Sequence, residues 1–428
     1  MKTFARTLLF ASGVLLLAHY LPAGYWLLSA KMRRAPIVYY SCTEKEFMFF
    51  RYTNTTAIRM DAHGKIYERE EFERILPIDH WMQLLRDGKL PDAIGGVTLT
   101  PEALRRERLS FRIKPTMIDT PAVNLTPLLD ADTGRVRLEM PEDFMRLGAT
   151  IEFIHAQTNG VEREKSALFQ RAFAEAGFVF PATVLGGNPS TMKPYDEGYF
   201  VADATGATFH LRQLRGKPDI HRVSSLASPE DKPKWEALKP IYFHVQEQDT
   251  REVHTIIIDK SNQAWFVVGK NYRLVKIPLQ RYDSARMSLV VRGDLINRLI
   301  SATGDDSVEA VVLNRDYGLV DRYTERLVSR AATPAGKLAR AIFPFTLRFE
   351  DVSSGYLGVF PEYGSRIALL VNGGLLALML VWLGSRRKKQ KLGKQKAEIR
   401  CGMLPDILAV AIGGVYGVAL VFLLPKAD

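Results

Sequence analysis

Three long stretches of the chain lack the short alternation of apolar and polar positions that globular elements show. Thr7 to Ala30 runs 24 residues with no acidic or basic side chain apart from His19, and Ile367 to Gly384 and Ile407 to Leu424 each run eighteen without a charge. Eighteen residues make a helix about 27 Å long, close to the roughly 30 Å of a hydrocarbon core, so the pattern predicts three transmembrane helices. Between the last two, Ser385 to Arg400 carries eight Lys and Arg against the single Glu398, which predicts a cytoplasmic loop. The N-terminus then lies inside, residues 31 to 364 outside, the loop inside and Lys426 to Asp428 outside. A cleavable signal peptide competes for the first run. That run is longer than an h-region of about 7 to 15 residues, and Tyr20, Tyr25 and Trp26 suit an interfacial belt on a retained anchor. Lys31, Arg33 and Arg34 oppose the charge bias at its outer flank, so the 385–400 loop decides the orientation.

The region between the apolar runs has a different rhythm. Runs such as IVYYS, EFMFFRY, TAIRM and KIYERE from Ile37 to Leu76 have strand composition and are separated by polar turns. An Asp or Asn followed by Gly or Asn punctuates such strands at Gly64, Gly134, Gly206, Asn262 and Gly318, at intervals of 70, 72, 56 and 56 residues. Enlarged repeats of this kind are compatible with a β-propeller, whose blades repeat at about 40 to 50 residues; an irregular β-rich domain is the alternative. Residues 78–90 and 101–108 predict short helices. Val161 to Gly177 predicts a longer one, with an apolar stripe from Val161, Leu168, Phe169, Ala172, Phe173 and Ala176 and a stop at Gly177. The fold class expected is therefore mainly β: an N-terminal anchor over 1–30, a large extracytoplasmic β-rich domain over 31–364 with inserted helices, and a transmembrane hairpin over 365–428.

Charge changes meaning in this frame. The chain carries a formal +11, yet the excess sits in the 385–400 loop and beside the first apolar run, which leaves the outer region close to neutral. A nucleic-acid partner is not expected; anionic lipid at the basic loop is. Cys42 and Cys401 fall on opposite sides of the membrane and cannot pair within one chain.

Candidate chemistry is sparse. No GxxxxGK[ST], HExxH, GxSxG or CxxC pattern occurs, and no cofactor is expected. The nearest approach to a metal set is His244, Glu247, Asp249 and His254 in YFHVQEQDTREVH, where imidazole and carboxylate could meet across a hairpin; a polar turn explains the run as well. Asp130, Asp132 and Gly134 echo a calcium loop but lack the acidic residue at its twelfth place. Gly413 and Gly417 form a GxxxG, and Gly373 with Ala377 a small-xxx-small pair. These permit close helix contact, either within the hairpin or with a partner permease. Asp406 after Pro405 suits a helix start at the inner surface.

The runs GYFVADATGATFHLRQLRGKPDI (198–220), NYRLVKIPLQRYD (271–283), VVLNRDYGLVDRYT (311–324) and LARAIFPFTLRFEDVSSGY (338–356) carry a family likeness. The chain resembles an uncharacterised bacterial family, a domain of unknown function with an N-terminal anchor and a C-terminal transmembrane hairpin. The resemblance implies a bacterial envelope protein of the cytoplasmic membrane, encoded near ABC-type exporter genes, with no catalytic residue to carry across. Separately, DKSNQAWFVVGKNYRLVKI is similar to one repeat of the sensor propellers of two-component regulators. The function expected is an accessory or sensory subunit of a membrane complex, an ABC-type exporter first. The alternative is a membrane-anchored extracytoplasmic ligand receptor or enzyme. A transporter in its own right is disfavoured, because three spans without polar pathways make a poor conduit.

Overall fold

The computed structural model describes residues 2–29, 35–52, 56–119, 125–353, 356–389 and 396–424. Lys31, Arg33 and Arg34, the middle of the expected basic loop (390–395) and Lys426 to Asp428 lie outside the described residues. The chain forms two compact units, residues 34–327 and residues 1–33 with 328–428. Residues 328–364, expected in the β domain, thus belong with the terminal helices. Strand accounts for 33% and helix for 31%, so the protein is β-rich rather than mainly β, and among the described residues the sheets form no closed barrel.

The 34–327 unit is built from antiparallel meanders. The first sheet holds Ile37–Ser41, Glu46–Tyr52 and Ala57–Asp61, and the second Leu125–Thr126, Asp143–Leu147 and Ile151–His155. The third runs Val184–Gly187, Tyr199–Ala202, Thr208–Leu214, Lys217–Arg222, and the fourth Pro240–Val245, Val253–Asp259, Ala264–Val268, Arg273–Lys276. The fifth takes Ser288–Gly293, Asn297–Thr303, Ser307–Asn314 and Leu319–Arg326, with Leu109–Ile113 added beside Ser288–Gly293.

Four of the five expected turns are made by one device, an Asp or Asn side chain that accepts two backbone N–H groups and tightens the reversal. Asp203 Oδ1 accepts from Thr205 and Ala207 (2.8 and 2.9 Å), Asp259 Oδ1 from Ser261 and Gln263 (2.8 and 3.0 Å), and Asn314 Oδ1 from Asp316 and Gly318 (3.0 and 2.8 Å). Asp61 does the same for His63 and Lys65. The fifth expectation fails: RVRLEM (135–140) forms no strand, the next being Asp143–Leu147, and Asp130 instead accepts from the backbone of Arg215 (2.9 Å) and Gly216 (2.6 Å) in a distant turn.

Strand Val253–Asp259 is apolar on both faces because both are covered. Ile256 and Ile258 pack with Phe266, Leu289, Val291 and Ile300 between the fourth and fifth sheets, while Ile257 and Val267 meet Phe200 and Phe243 of the third and fourth. Helix Arg163–Glu175 forms where the amphipathic helix is expected, but of the predicted stripe Leu168 is exposed and Val161 lies exposed outside the helix. Its Phe169 and Phe173 are fully buried against Phe153, Phe178 and Phe209, each contributing about 2–3 kcal/mol of apolar burial. Helices Trp81–Arg86 and Pro101–Arg106 occupy the places of the two short ones; Thr100 caps the second by accepting from Ala103 N (3.2 Å).

In the second unit, one helix among the described residues, Phe4–Ser29, is long and apolar enough to cross a membrane; in helix Arg366–Lys389 the described residues give a shorter apolar stretch, Arg366–Trp382. Among the described residues there is thus one candidate span, not three. The third expected span is broken at Gly414, whose φ of +55° suits glycine, into helices Lys396–Gly413 and Val415–Leu423. The two legs run back along each other. Arg6 donates to Asp406 Oδ1 (2.9 Å) and to the Leu424 carbonyl (3.2 Å), which places both ends of the segment beside the same residue of the N-terminal helix. Asp406–Gly413 is about 12 Å long, less than half of a hydrocarbon core. Asn372 holds the tip, accepting from Val415 N (2.8 Å) and donating to the carbonyls of Ala368 and Ile342. Pro405 and Asp406 lie inside a helix rather than at its start, and Asp406 is an ion-pair partner rather than a cap.

The glycines expected to receive a partner divide in two. A Cβ on Gly417 would stand 2.0 Å from the Ala409 carbonyl, and one on Gly413 2.8 Å from Val14, so both serve contacts within the unit. Gly373 faces open space. His19 bonds the Leu347 carbonyl through Nδ1 (2.9 Å), and Tyr25 donates to the Ala335 carbonyl (2.8 Å), so the polar tips of this helix have protein partners.

Candidate functional site

The candidate metal residues are not brought together. His244 is half-buried against the Phe111 ring (4.8 Å between centroids), and burial pushes its pKa down to about 4, leaving it neutral. Asp249 is exposed in a turn. Glu247 is sealed in the unit, where Oε1 accepts from Lys193 Nζ (2.5 Å) and Glu197 N (3.2 Å) and Oε2 from Asn188 (2.7 Å). His254 contacts Glu197 Oε1 through Nδ1 (2.6 Å) and the Gly269 carbonyl through Nε2 (2.9 Å). Burial works to lower its pKa, but Glu197 outweighs that and raises it. Both nitrogens facing acceptors fits an imidazolium. Among the described residues no group of three or more His, Cys, Asp or Glu could hold a metal ion. The calcium echo fails for a similar reason: backbone N–H groups use both carboxylate oxygens of Asp130.

A different set of charges lines a cavity of about 240 Å³ in the same unit. Strand Ile37–Ser41 contributes Tyr39 and Tyr40, the turn before helix Trp81–Arg86 contributes Ile78, Asp79 and His80, and that helix adds Trp81. Arg108 and Ser110 enter at the start of strand Leu109–Ile113, and Arg292, Asp294 and Asn297 at the reversal between Ser288–Gly293 and Asn297–Thr303. Trp81 and Leu104, buried with Ile94 and Leu99, give the wall its apolar backing.

The four charges are held unequally. Arg292 is fixed: it donates to the Val38 carbonyl (3.0 Å), and its guanidinium lies over the Tyr39 ring at 4.8 Å. Asp294 is half fixed, since Oδ1 accepts from the backbone of Ile296 (2.7 Å) and Asn297 (2.8 Å). Among the described residues neither Asp79 nor the Arg108 side chain has a hydrogen bond or ion pair. Asp79 itself is exposed to water at the cavity. Crowding by protein, with Asp294 adding to it, pushes its pKa up to about 7, against the opposing pull of Arg292 and Arg108. Asp294 is raised as well, by burial. Cys42, behind the wall, has its thiol pushed up to about 12 by burial and by Asp294, so it is no nucleophile at neutral pH.

The family model described as a domain of unknown function, DUF4857, matches residues 37–313. The chain belongs to that family. No curated protein matches it. The DUF4857 span contains every residue of the cavity wall and lies within the 34–327 unit; residues 338–356 fall outside it. The cavity residues were hidden in the sequence because they come from four separated segments. In IDHW, Asp79 reads as a helix start, and in VVRGDLI, Asp294 reads as a turn residue.

Proposed function

We propose that this DUF4857 protein is a membrane-anchored sensory or accessory subunit whose 34–327 unit binds a small ligand in the cavity walled by Asp79, Arg108, Arg292 and Asp294. The observation that carries this reading is the cavity itself: a concave site of about 240 Å³ lined by Tyr39, Trp81 and charged side chains of both signs. The successive four-stranded meanders, packed face to face, support a propeller-like arrangement as its scaffold. The N-terminal helix and the basic 385–400 segment support placement in a bacterial cytoplasmic membrane, with the 34–327 unit outside and anionic lipid at the basic segment. Gly373, open on helix Arg366–Lys389, leaves room for a helix of a partner such as an ABC-type permease; the exporter itself is suggested by the family resemblance.

Co-purification in mild detergent tests the subunit reading. A permease and its ATPase should accompany the wild-type chain and be reduced by Gly373→Leu; recovery of the chain alone would defeat it. Topology is tested separately. Alkaline phosphatase fused after residue 340 should be active, and fused after residues 392 or 424 inactive; activity after residue 424 would show that the C-terminal segment spans. A second reading, an enzyme, has one observation in its favour: a carboxyl group with a pKa of about 7 suits general acid–base work.

A further inference from the structure

Segment 328–344, VSRAATPAGKLARAIFP, holds three cations, Arg330, Lys337 and Arg340, and no acidic residue. Within the terminal unit it forms the short turn Arg330–Ala332 and helix Pro334–Ile342, which Thr333 caps by accepting from Gly336 N (3.0 Å). One face of that helix is covered: Gly336 and Ala339 are buried, and Ala339 packs with Phe343, Phe10, Val14 and Tyr416. The other face carries Lys337, Leu338 and Arg340, all exposed, with Leu338 53% open to solvent. Three contacts set the level of this helix on the N-terminal one. Tyr25 donates to the Ala335 carbonyl (2.8 Å), its ring meets Phe343 at 5.7 Å between centroids, and the Arg330 guanidinium lies 3.6 Å over the Trp26 ring. Arg366 opens the next helix at the same end, since Ser365 donates from N (2.8 Å) and Oγ (2.9 Å) to the Arg340 carbonyl. The opposite end is marked by Arg6 with Asp406 and the Leu424 carbonyl. From Arg6 to Tyr25 is 19 residues (25 − 6), about 28 Å of helix and close to one hydrocarbon thickness.

Resting on the reading of the N-terminal helix as a span, we infer that the outward face of Pro334–Ile342 is an interface with anionic phospholipid headgroups, in the leaflet opposite the basic 385–400 segment. A helix one hydrocarbon thickness from Arg6, beside a tyrosine and a tryptophan, lies at the headgroup layer. Lys337 and Arg340, one turn apart, flank the exposed Leu338. That composition suits a helix seated in the headgroups, its apolar side chain dipping inward while the long cationic stems reach phosphate. The charge at this end is of one sign. Acidic residues in 328–368 are Glu350, Asp351 and Glu362, all on the hairpin Phe345–Ser353 and Tyr356–Tyr363, and Glu362 is paired with Arg348 (3.4 Å). In the sequence Lys31, Arg33 and Arg34 follow this end of the N-terminal helix directly. Cations on this flank work against the charge bias of the 385–400 loop, and headgroup binding gives them a role that anchoring alone does not.

The test is fluorescence quenching in bilayers. The full chain is reconstituted into phosphatidylcholine vesicles containing increasing amounts of brominated phosphatidylglycerol or brominated phosphatidylcholine. The Trp26 signal is the difference between the wild-type chain and Trp26→Phe, so lipid gathered by the 385–400 segment at the other face does not enter. Phosphatidylglycerol should be preferred over phosphatidylcholine about 3- to 10-fold at low salt. The preference should shrink in about 1 M salt, where charges are screened beyond about 3 Å. Lys337→Gln combined with Arg340→Gln should bring the ratio close to unity, whereas Lys337→Arg combined with Arg340→Lys should retain it. Equal quenching by the two lipids in the wild type would leave the span standing and overturn the headgroup assignment, as would loss of the preference in the charge-keeping pair. Quenching by neither lipid would take Trp26 out of the bilayer and defeat the spanning reading together with this one. Loss of a co-purifying protein in the Gln pair, with the lipid preference unchanged, would make the face a protein contact and overturn the assignment too.

Discussion

Two assemblies of charge lie in the 34–327 unit, and they are built on opposite plans. Around Lys193 the chain buries a cation, 3% exposed, between Asp196 and Glu247, with Asn188 and the backbone of Glu197 filling further positions on Glu247. Around Asp79 it leaves charges of both signs unpaired and in contact with water. Sealed charge must be satisfied by protein, because a buried ion without partners costs several kcal/mol; wet charge can wait for a ligand. Density of His, Asp and Glu in the sequence marks the first assembly and misses the second. A cluster close in sequence is therefore a poor guide to a binding site unless its partners are known.

The largest expected effect breaks the sealed assembly. Lys193→Met leaves Asp196 and Glu247 buried without their cation and should destabilise the unit by about 3–5 kcal/mol, read as a fall in the denaturation midpoint. A loss below 1 kcal/mol would mean that the network is no keystone. Next comes pH. His254 has its pKa raised by Glu197, so its contribution is complete below 6.5, its ordinary value, and is lost as pH rises through the folded value. Glu197 has its pKa lowered by His254 against burial, so its contribution is present above 4.5 and lost as pH falls through the folded value. Stability should therefore decline on both sides of a window between these two ordinary values, and His254→Asn should flatten the alkaline limb; an unchanged limb would remove the pair from the account. The smallest effect concerns the cavity. A carboxyl whose folded pKa is raised opposes folding increasingly as pH rises from 3.8, its ordinary value, to about 7, so Asp79→Asn should leave thermal stability at pH 8 equal to wild type or slightly higher, with the difference vanishing only below pH 3.8. A clear destabilisation would place Asp79 with the structural charges.

The sequence was legible where local chemistry determines structure. Asp203, Asp259 and Asn314 announce their hairpins because the side chain that marks the turn also closes it. Helix Arg163–Glu175 shows its stripe because one face meets the sheet. Legibility ends where a residue's role depends on a distant partner. Asp130 carries the same turn signal but serves Arg215 and Gly216, 85 and 86 residues away. The apolar run 407–424 looks continuous, and only Asn372, Arg6 and the crossing of Gly417 over Ala409 distinguish a reversal from a span. The cavity combines four segments, none of which carries a motif.

That reversal bears on how the chain could enter a membrane. A segment that turns at Gly414 and returns to Arg6 can be inserted from the side on which it is made, with its leading edge an uncharged tip whose exposed backbone is already covered by Asn372. In such a topology, neither the charged tail after Leu424 nor the eight basic residues of 385–400 would cross the bilayer. Of the polar parts of the chain, only residues between the N-terminal helix and Arg366 would then need export.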